Sequence, residues 1–342
     1  MHVYSVTPPS NSQQSADAGY LSVLNQAATA SQDAGWSGIL VPHNLHEVDP
    51  WLVASHLGSV TSTLIPLLAL QPACNPPHLA AACAAAYATL YNRPLYFNLV
   101  AGARGDEMRR IGDDLSHDER YERLREYGAI LRQLLDGGQA ETASAYYTYR
   151  KFGLEPRPDV LSQCRIFVAG SSPTSMSAAT AVADVIVTHP VPFAEWRRSF
   201  LGPLRETSYT GDLGIRLGII ARASREEAWE LATERFPPTW LGRQETLLKT
   251  RSPNVWAREL AQRAVAAEEE PFDPSDPYWL GAFKTGQASA PFLVGRYEDV
   301  TERLAEYAGE GVCHLLLSGC EESDFADIKT VVDLVTVGQS RP

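Results

Sequence analysis

The chain has 342 residues, of which 44% are hydrophobic and 20% charged, with 24 Gly and 23 Pro. These values are typical of an ordinary globular protein, and they exclude a disordered, collagen-like or low-complexity chain. The formal net charge is -12 and the basic residues are scattered, which argues against nucleic acid or an anionic membrane surface as the main partner.

The N-terminus lacks a signal-peptide pattern, and no apolar run approaches the length of a membrane span. We therefore expect a cytoplasmic protein without membrane contact. The five cysteines contain no Cys-x-x-Cys pair, so they predict neither a disulfide framework nor a zinc site. Buried or incidental thiols are the expectation, since free Cys commonly behaves as a small apolar residue.

Short apolar runs alternate with amphipathic stretches from the first residues onward, a pattern typical of repeated βα units. In the first part of the chain, strands are predicted at 3–6, 38–42, 64–70 and 95–100. Helices are predicted at 20–34 and 80–90, because apolar residues recur there at helical spacing, and Gly35 is expected to end the first of them.

The alternation continues through the second part of the chain. Helices are predicted at 118–135, 173–181 and 226–235, strands at 166–168, 185–187, 215–220 and 312–317, and a hairpin insertion at 141–160. Eight predicted strands, mostly separated by helices, favour an α/β chain forming one (β/α)8 TIM-barrel domain over residues 1–342.

The segment at 237–282 interrupts this rhythm. It contains a Pro pair, a helical run and an acidic triplet, and it is too long for a simple connection. Two interpretations remain open: a lid over an active site, or an excursion that serves packing or subunit contact.

The chemistry of a (β/α)8 barrel lies at the C-terminal ends of its strands. His43 and His46 follow the second predicted strand, Ala101 follows the fourth and His189 follows the sixth. The loop at 43–49 also contains metal-ligand residue types, but no second cluster has a suitable spacing. We therefore predict no metal site, and pocket-lining or solvated polar residues instead.

Residues 166–173 combine a strand, a turn of small residues with Ser171 and Ser172, and a helix beginning at Pro173. Free N–H groups at a helix N-terminus, together with hydroxyls, suit a phosphate group. Ser also caps helices for purely structural reasons, which is the alternative. No Gly-x-Ser-x-Gly, Walker or Gly-x-Gly-x-x-Gly pattern supports a hydrolase, a P-loop protein or a dinucleotide-binding protein.

Several ordered segments carry a family resemblance: 40–42 with 49–54, 97–102, 117–122, 169–172, 214–217 and 293–295. In combination they resemble the bacterial luciferase-like flavin monooxygenases, and within these the alkanesulfonate monooxygenase group. The resemblance spans most of the chain, and residues 237–280 are the least similar part.

The resemblance implies a (β/α)8 barrel that binds reduced FMN supplied by a separate NAD(P)H:flavin reductase. Oxygen then adds to the flavin, and the resulting flavin peroxide oxidises a small organic substrate. A homodimer or homotetramer is also implied.

The family pattern also assigns candidate cofactor-binding residues. Asn98 and its neighbours after the fourth strand, Ala101 among them, would face the isoalloxazine ring. The residues assigned to the phosphate or its vicinity are His117, Tyr121, Gly170, Ser171 and Ser172. For His117, a purely structural place at a helix N-terminus remains the alternative.

Departures from the alkanesulfonate pattern bear on the substrate. The family's Arg-x-His reads Arg216-Leu217-Gly218, so the Arg is kept and the imidazole is lost. Glu47 and Cys320 stand where that group has Cys and Tyr, and a mobile-loop Arg has no clear counterpart near Lys284. We therefore expect a substrate other than a simple alkanesulfonate.

Arg216 is the strongest catalytic candidate, because a buried guanidinium offers fixed donors to an oxygen or an anionic group. A structural ion pair is the alternative. His43, His46 and His189 are open candidates for the acid or base. Two further functions stay open: a deazaflavin-dependent oxidoreductase on the same barrel, and a non-catalytic flavin-binding relative.

Overall fold

The computed structural model describes residues 1–102, 105–170, 172–252, 255–267 and 273–339. Ser171 of the predicted phosphate turn and residues 268–272 of the predicted insertion lie outside the described residues. Among the described helices, none combines the length and apolar character that a membrane crossing needs.

The strands, in chain order, are β1 (His2–Val6), β2 (Gly38–Val41), β3 (Ile65–Leu70), β4 (Tyr96–Leu99), β5 (Ala140–Ala143), β6 (Thr148–Phe152), β7 (Ile166–Ala169), β8 (Val185–Thr188), β9 (Asp212–Arg222), β10 (Tyr278–Trp279), β11 (Phe292–Arg296) and β12 (Val312–Leu317). The helices are α1 (Gln13–Ala18), α2 (Tyr20–Asp33), α3 (Pro50–Val60), α4 (Pro77–Tyr91), α5 (Gly105–Arg110), α6 (His117–Leu135), α7 (Pro173–Val182), α8 (Phe193–Trp196), α9 (Gly202–Arg205), α10 (Arg225–Arg235), α11 (Trp240–Lys249), α12 (Val255–Ala266), α13 (Gly281–Lys284), α14 (Tyr297–Gly309) and α15 (Phe325–Gln339). Short 3-10 turns at 159–163 and 322–324 and a π-helical turn at 197–201 complete the regular structure of the described residues.

Two compact units make up the chain. One unit contains residues 6–187 and 208–211, and we call it the flavin-side unit because the predicted cofactor residues lie in it. The other contains residues 1–5, 188–207 and those from 212 onward, and we call it the arginine-side unit because Arg216 lies in it.

The flavin-side unit contains a parallel sheet in the order β2-β3-β4-β7-β8. Its strands are joined by helices, as parallel pairing requires, and their residues are almost all buried. Register pairs Leu40 with Leu67, and Phe97 with both Leu68 and Ile166. The antiparallel hairpin of β5 and β6 forms a separate small sheet in this unit.

The arginine-side unit contains the order β10-β11-β9-β12-β1, parallel except for β10. Strand β9 is 11 residues long and has two successive neighbours. Its first half pairs with β12 over Leu213–Leu217, and its second half pairs with β11 over Gly218–Arg222. Arg216 therefore lies just before the point where β9 changes its partner.

The predicted fold class, α/β of the (β/α)8 barrel type, is confirmed. The eight predicted strands correspond to β1, β2, β3, β4, β7, β8, β9 and β12 among the described residues. The predicted helix end at Gly35 is also correct, since Gly35 has a φ of +77°, which a residue with a side chain rarely adopts. Strands β10 and β11 were not predicted, because each is short and β10 lies within the irregular segment at 237–282 while β11 follows it.

Candidate functional site

Two helix N-termini meet in the flavin-side unit. Helix α6 begins at His117 with Ser116 as N-cap, and α7 begins at Pro173 with Ser172 as N-cap. Asp118 joins the two starts, because its carboxylate accepts hydrogen bonds from His117 and from the Thr174 hydroxyl. The first N–H groups and the positive ends of two helix dipoles are therefore directed to one place, which suits an anion.

The residues of the predicted phosphate turn lie beside these helix starts. The Ser172 hydroxyl accepts a hydrogen bond from the Ser175 N–H at 3.2 Å, so the structural alternative, an N-cap, is real for Ser172. The Tyr121 hydroxyl is hydrogen-bonded to Ser175, and burial raises the pKa of Tyr121. Tyr121 therefore stays a neutral hydroxyl, able to donate to a phosphate oxygen. Ser171 lies outside the described residues.

Gly170 is closely packed against the α7 start. A Cβ built on Gly170 would lie 2.3 Å from the Ser175 Oγ and 3.5 Å from the Tyr121 hydroxyl. Real Cβ atoms do not approach so closely, so only Gly fits without displacing Ser175. The turn, the Tyr121 hydroxyl and the two helix starts together form what we call the cradle.

His117 belongs to the same region. Its Nδ1 lies 2.9 Å from Asp118 Oδ1, and its ring lies 4.9 Å, between centroids, from the Tyr121 ring. The hydrogen bonds from His117 and Thr174 hold the pKa of Asp118 below its usual range. The hydrogen bond to Asp118 fixes the orientation of the His117 ring beside Tyr121.

Asn98 provides a buried polar group whose hydrogen bonding is incomplete. It lies on β4, is 9% exposed, and its Oδ1 has no hydrogen-bond partner among the described residues. An unpaired buried amide oxygen costs about 1–3 kcal/mol, so a ligand N–H is the expected partner. Ala101 follows the same strand and is half-buried.

The two histidines in the loop after β2 differ in burial. His43 is half-buried, its Nδ1 has no partner among the described residues, and burial lowers its pKa against the opposing effect of Asp49. His46 is exposed. Glu47 accepts hydrogen bonds from Asn44 and from the Ser10 N–H, and Asp49 caps α3 by accepting from the Trp51 N–H at 2.9 Å. Both carboxylates therefore have structural roles, and His43 is the better-placed of the two imidazoles for a ligand.

Arg216 and His189 meet in the arginine-side unit. The His189 Nδ1 lies 3.3 Å from the Arg216 carbonyl oxygen, and a carbonyl accepts only, so Nδ1 carries the proton. Burial and the nearby Arg216 charge hold the pKa of His189 well below its usual value. His189 is thus a neutral imidazole whose Nε2 lone pair is available as a base.

The Arg216 side chain is only partly paired. Its Nη2 lies 3.5 Å from the Ser289 hydroxyl, and its buried Nε has no partner among the described residues. The alternative of a structural ion pair has no support, because no carboxylate of the described residues forms a salt bridge with it. A buried guanidinium in this state is expected to bind an oxygen of a ligand.

Trp256, which was not predicted from the sequence as a site residue, lies beside His189, which contacts Arg216. Its ring stacks on His189 with 3.4 Å between centroids and 29° between planes, and its buried Nε1 has no partner among the described residues. Trp256 lies on α12, inside the segment at 237–282. The only sequence signal for it was an aromatic residue in an otherwise polar stretch.

The lost family imidazole has a structural cause. A Cβ on Gly218 would lie 2.3 Å from the Phe292 ring, so no side chain fits at this position while Phe292 is present. Cys320, which the resemblance to the alkanesulfonate group aligns with a Tyr, is half-buried, and burial raises its pKa to about 12. The thiol therefore stays protonated and is a poor nucleophile.

The lowered pKa of His189 predicts that the stability of the protein depends on pH. Its pKa is far below 6.5 in the folded state, so on acidification the unfolded chain binds its proton first. Below pH 6.5 the free energy of unfolding is therefore expected to fall, by up to about 1.4 kcal/mol per pH unit from this residue. Urea unfolding at pH 5.0 to 7.5 measures this, and His189→Asn should show a smaller slope than the wild type. Equal slopes in the two proteins would contradict the prediction, because all other titrating groups are shared.

Comparison with known proteins identifies the family. The model of the luciferase-like monooxygenase family matches residues 1–314. The chain belongs to this family. The predicted family and the predicted enzyme class, a luciferase-like oxidoreductase of the monooxygenase type, are thereby confirmed, while the closer relation to the alkanesulfonate group stays a prediction.

Individual relatives agree with this assignment. The chain is 35% identical over 307 residues to 4-(gamma-L-glutamylamino)butanoyl-[BtrI acyl-carrier protein] monooxygenase BtrO of Niallia circulans, covering 89% of this chain and 88% of that protein. Riboflavin lyase RcaE, solved with modified FMN and riboflavin, has a TM-score of 0.76 at 14% identity, covering 100% of this chain and 92% of RcaE. An F420-dependent secondary alcohol dehydrogenase, solved with an F420-acetone adduct, has a TM-score of 0.67 at 14% identity, covering 98% of each chain. The two structures show likeness of fold alone.

Proposed function

We propose that this luciferase-like monooxygenase binds reduced FMN, supplied by a separate NAD(P)H:flavin reductase, and uses O2 to oxidise an organic substrate. The observation that carries the proposal is the meeting of the α6 and α7 starts beside Tyr121 and Gly170. The positive ends of two helix dipoles and the Tyr121 hydroxyl donor are groups that suit phosphate oxygens.

Three further residues of the flavin-side unit have roles in the proposed flavin site. The Oδ1 of Asn98 is placed to accept a hydrogen bond from an N–H of the isoalloxazine ring, because it has no other partner among the described residues. His117, held by Asp118, is placed to pair with the phosphate. Ser172 contributes as the residue that shapes the α7 start, since its hydroxyl is engaged in the cap.

Bound reduced FMN supplies two electrons to O2, so that one oxygen atom enters the substrate and the other leaves as water. We assign the handling of substrate to Arg216, Trp256 and His189. The Arg216 Nε and the Trp256 Nε1 are two buried donors that a substrate oxygen can satisfy. The Nε2 of the neutral His189 imidazole can accept a hydrogen bond from a substrate N–H or O–H.

We infer the substrate class from BtrO, whose name gives it an acyl group carried on an acyl-carrier protein. The carbonyl oxygen of an acyl thioester only accepts hydrogen bonds. It can therefore accept from the two unpaired donors, the Arg216 Nε–H and the Trp256 Nε1–H. Gly218 stands where the alkanesulfonate group has a His, and Phe292 leaves no room for a side chain there, which supports a substrate other than a simple alkanesulfonate. The substrate proposed here is therefore an acyl group held as a thioester on a carrier protein.

Direct cofactor binding tests the flavin proposal. Reduced FMN titrated anaerobically into the protein is expected to bind, and reduced F420 to bind more weakly or not at all. Gly170→Ala should weaken the binding of reduced FMN at least tenfold, because its Cβ displaces Ser175. Gly309→Ala is the matched control, since a Cβ there meets nothing within 4 Å.

Activity completes the test. Wild-type protein mixed with reduced FMN, O2 and an acyl-pantetheine thioester should yield a product heavier by one oxygen atom. Failure to bind reduced FMN, or a preference for reduced F420, would contradict the proposal and favour the deazaflavin-dependent alternative. Binding without any oxidised product, over a range of acyl groups, would favour the non-catalytic alternative.

A further inference from the structure

Helix α11 presents its apolar side to solvent. Trp240 is 76% exposed, Leu241 61% and Leu248 73%, and helical spacing places all three on one face with Leu247. We call these four residues the α11 face. A surface helix of a globular protein normally buries such a face, so an exposed one indicates an interaction surface.

The opposite side of α11 explains why this face cannot turn inward. Gly242 and Thr246 are the buried residues of the helix. A Cβ on Gly242 would lie 2.6 Å from the backbone of Thr285, and the Thr246 hydroxyl donates to the Lys284 carbonyl at 3.4 Å. The helix backbone is therefore in close contact with the segment after α13, where only small residues fit. The orientation of the α11 face is fixed by packing.

A cavity of about 700 Å³ lies next to the α11 face within the arginine-side unit. Its walls include Trp229, Phe236 and Trp279, and Arg243 and Lys284 also line it. Leu247 belongs both to the α11 face and to the cavity lining. This volume is in the range of small-molecule sites, and the mixture of apolar walls with cations suits a flexible amphipathic ligand that carries negative charge.

The charge around the α11 face is opposite to that of the whole chain. Residues 240–251 contain Arg243, Arg251 and Lys249 against the single acidic residue Glu245, which lies 3.8 Å from the Lys249 ammonium, in a chain of net charge -12. Arg243 and Arg251 are exposed. An acidic partner is repelled by most of this protein and attracted here, which steers its encounter to this face.

We propose that the α11 face docks an acidic acyl-carrier protein, whose phosphopantetheine arm enters the adjoining cavity. This inference rests on the proposed function, in which the substrate is a carrier-bound acyl group. The arm has an apolar dimethyl group and amides, which suit a cavity with the aromatic walls of Trp229, Phe236 and Trp279. Lys284 lines the cavity, and Ser289, five residues further along the chain, contacts Arg216, so one short segment touches both the cavity and a proposed substrate donor.

Two forms of one substrate test the proposal. The probe is the 4-(γ-L-glutamylamino)butanoyl group, presented on the BtrI carrier protein and as a short pantetheine thioester. Leu248→Asp should lower kcat/KM for the carrier-bound form at least tenfold and leave kcat/KM for the pantetheine form unchanged. The matched control is Leu334→Asp, the same change at an exposed position of α15, and it should affect neither substrate.

Carrier binding is measured separately from chemistry, by titrating phosphopantetheinylated BtrI into each variant. Wild type and Leu334→Asp should bind equally, and Leu248→Asp at least tenfold more weakly. Absence of binding to the wild type, or equal binding by all variants, overturns the docking proposal. Binding that depends on Leu248 without turnover of either substrate supports the docking proposal and contradicts only the proposed function.

A second copy of this chain could cover the α11 face in place of a carrier protein, and the oligomeric state distinguishes the two partners. Light scattering after gel filtration should give one molar mass for the wild type, Leu248→Asp and Leu334→Asp. A lower molar mass for Leu248→Asp alone would show that the α11 face joins two copies and would overturn the proposal.

Discussion

Replacing Arg216 by Gln is expected to lower the rate of product formation about 100- to 1,000-fold, the usual effect of removing one pre-positioned donor to a reacting oxygen. The buried Nε of Arg216 has no partner among the described residues, and its Nη2 has only a long contact with Ser289. Gln keeps much of the volume and loses the charge. Reduced FMN should still be consumed by O2 in the variant, with hydrogen peroxide as the product.

The measurement is the ratio of oxidised substrate to hydrogen peroxide in single turnovers. Arg296→Gln serves as the control, because it removes the same charge from a half-exposed residue that pairs with Asp299. We expect the control to keep the wild-type ratio. If Arg216→Gln also keeps it, Arg216 is a structural residue and the assignment is wrong.

The second large effect concerns stability. Asp324 is fully buried, and its carboxylate pairs with Arg222 at 3.0 Å and with Arg235 at 2.6 Å. It also accepts the Glu321 N–H at 3.0 Å. Replacing Asp324 by Asn removes the charge that compensates two guanidinium groups, so the free energy of unfolding should fall by about 3–5 kcal/mol.

Urea unfolding measures this loss. Asp333→Asn is the matched control, because its carboxylate is 64% exposed and lies 3.8 Å from the Lys329 ammonium. An exposed pair of this kind contributes about 0–1 kcal/mol, so the control should unfold close to the wild type. A loss below about 1 kcal/mol for Asp324→Asn would mean that the two arginines find other partners or water once the carboxylate is gone.

The sequence predicted the parts of the fold that depend on local pattern. Parallel strands buried on both faces appear as short apolar runs, and eight of them were found, because the connecting helices show a different period. Strand β11, Phe292–Arg296, is also buried and parallel, but it was missed because it is short and follows an irregular segment. The change of partner along β9, from β12 to β11, also needed the structure, because no local pattern reports which strands pair.

The same division holds for the proposed site. The turn at Gly170 and Ser172 was visible in sequence because a strand, small residues and a helix start follow one another directly. Trp256 was not visible, because it is far from His189 along the chain and reaches it only through the packing of α12. The roles of Glu47 and Asp49 also needed the structure, which shows both carboxylates engaged by backbone N–H groups.

The sequence alone thus determined the fold class, the family and the strand–turn–helix segment of the proposed phosphate site, since each depends on residues close together in the chain or on the order of short motifs. Tertiary structure decided which groups remain unpaired, at Asn98, Arg216 and Trp256. It also decided that α11 keeps Gly242 inside and Trp240 outside. The physical reason is that hydrogen-bond satisfaction and exposure depend on what packs against a residue, and distant parts of the chain provide that packing.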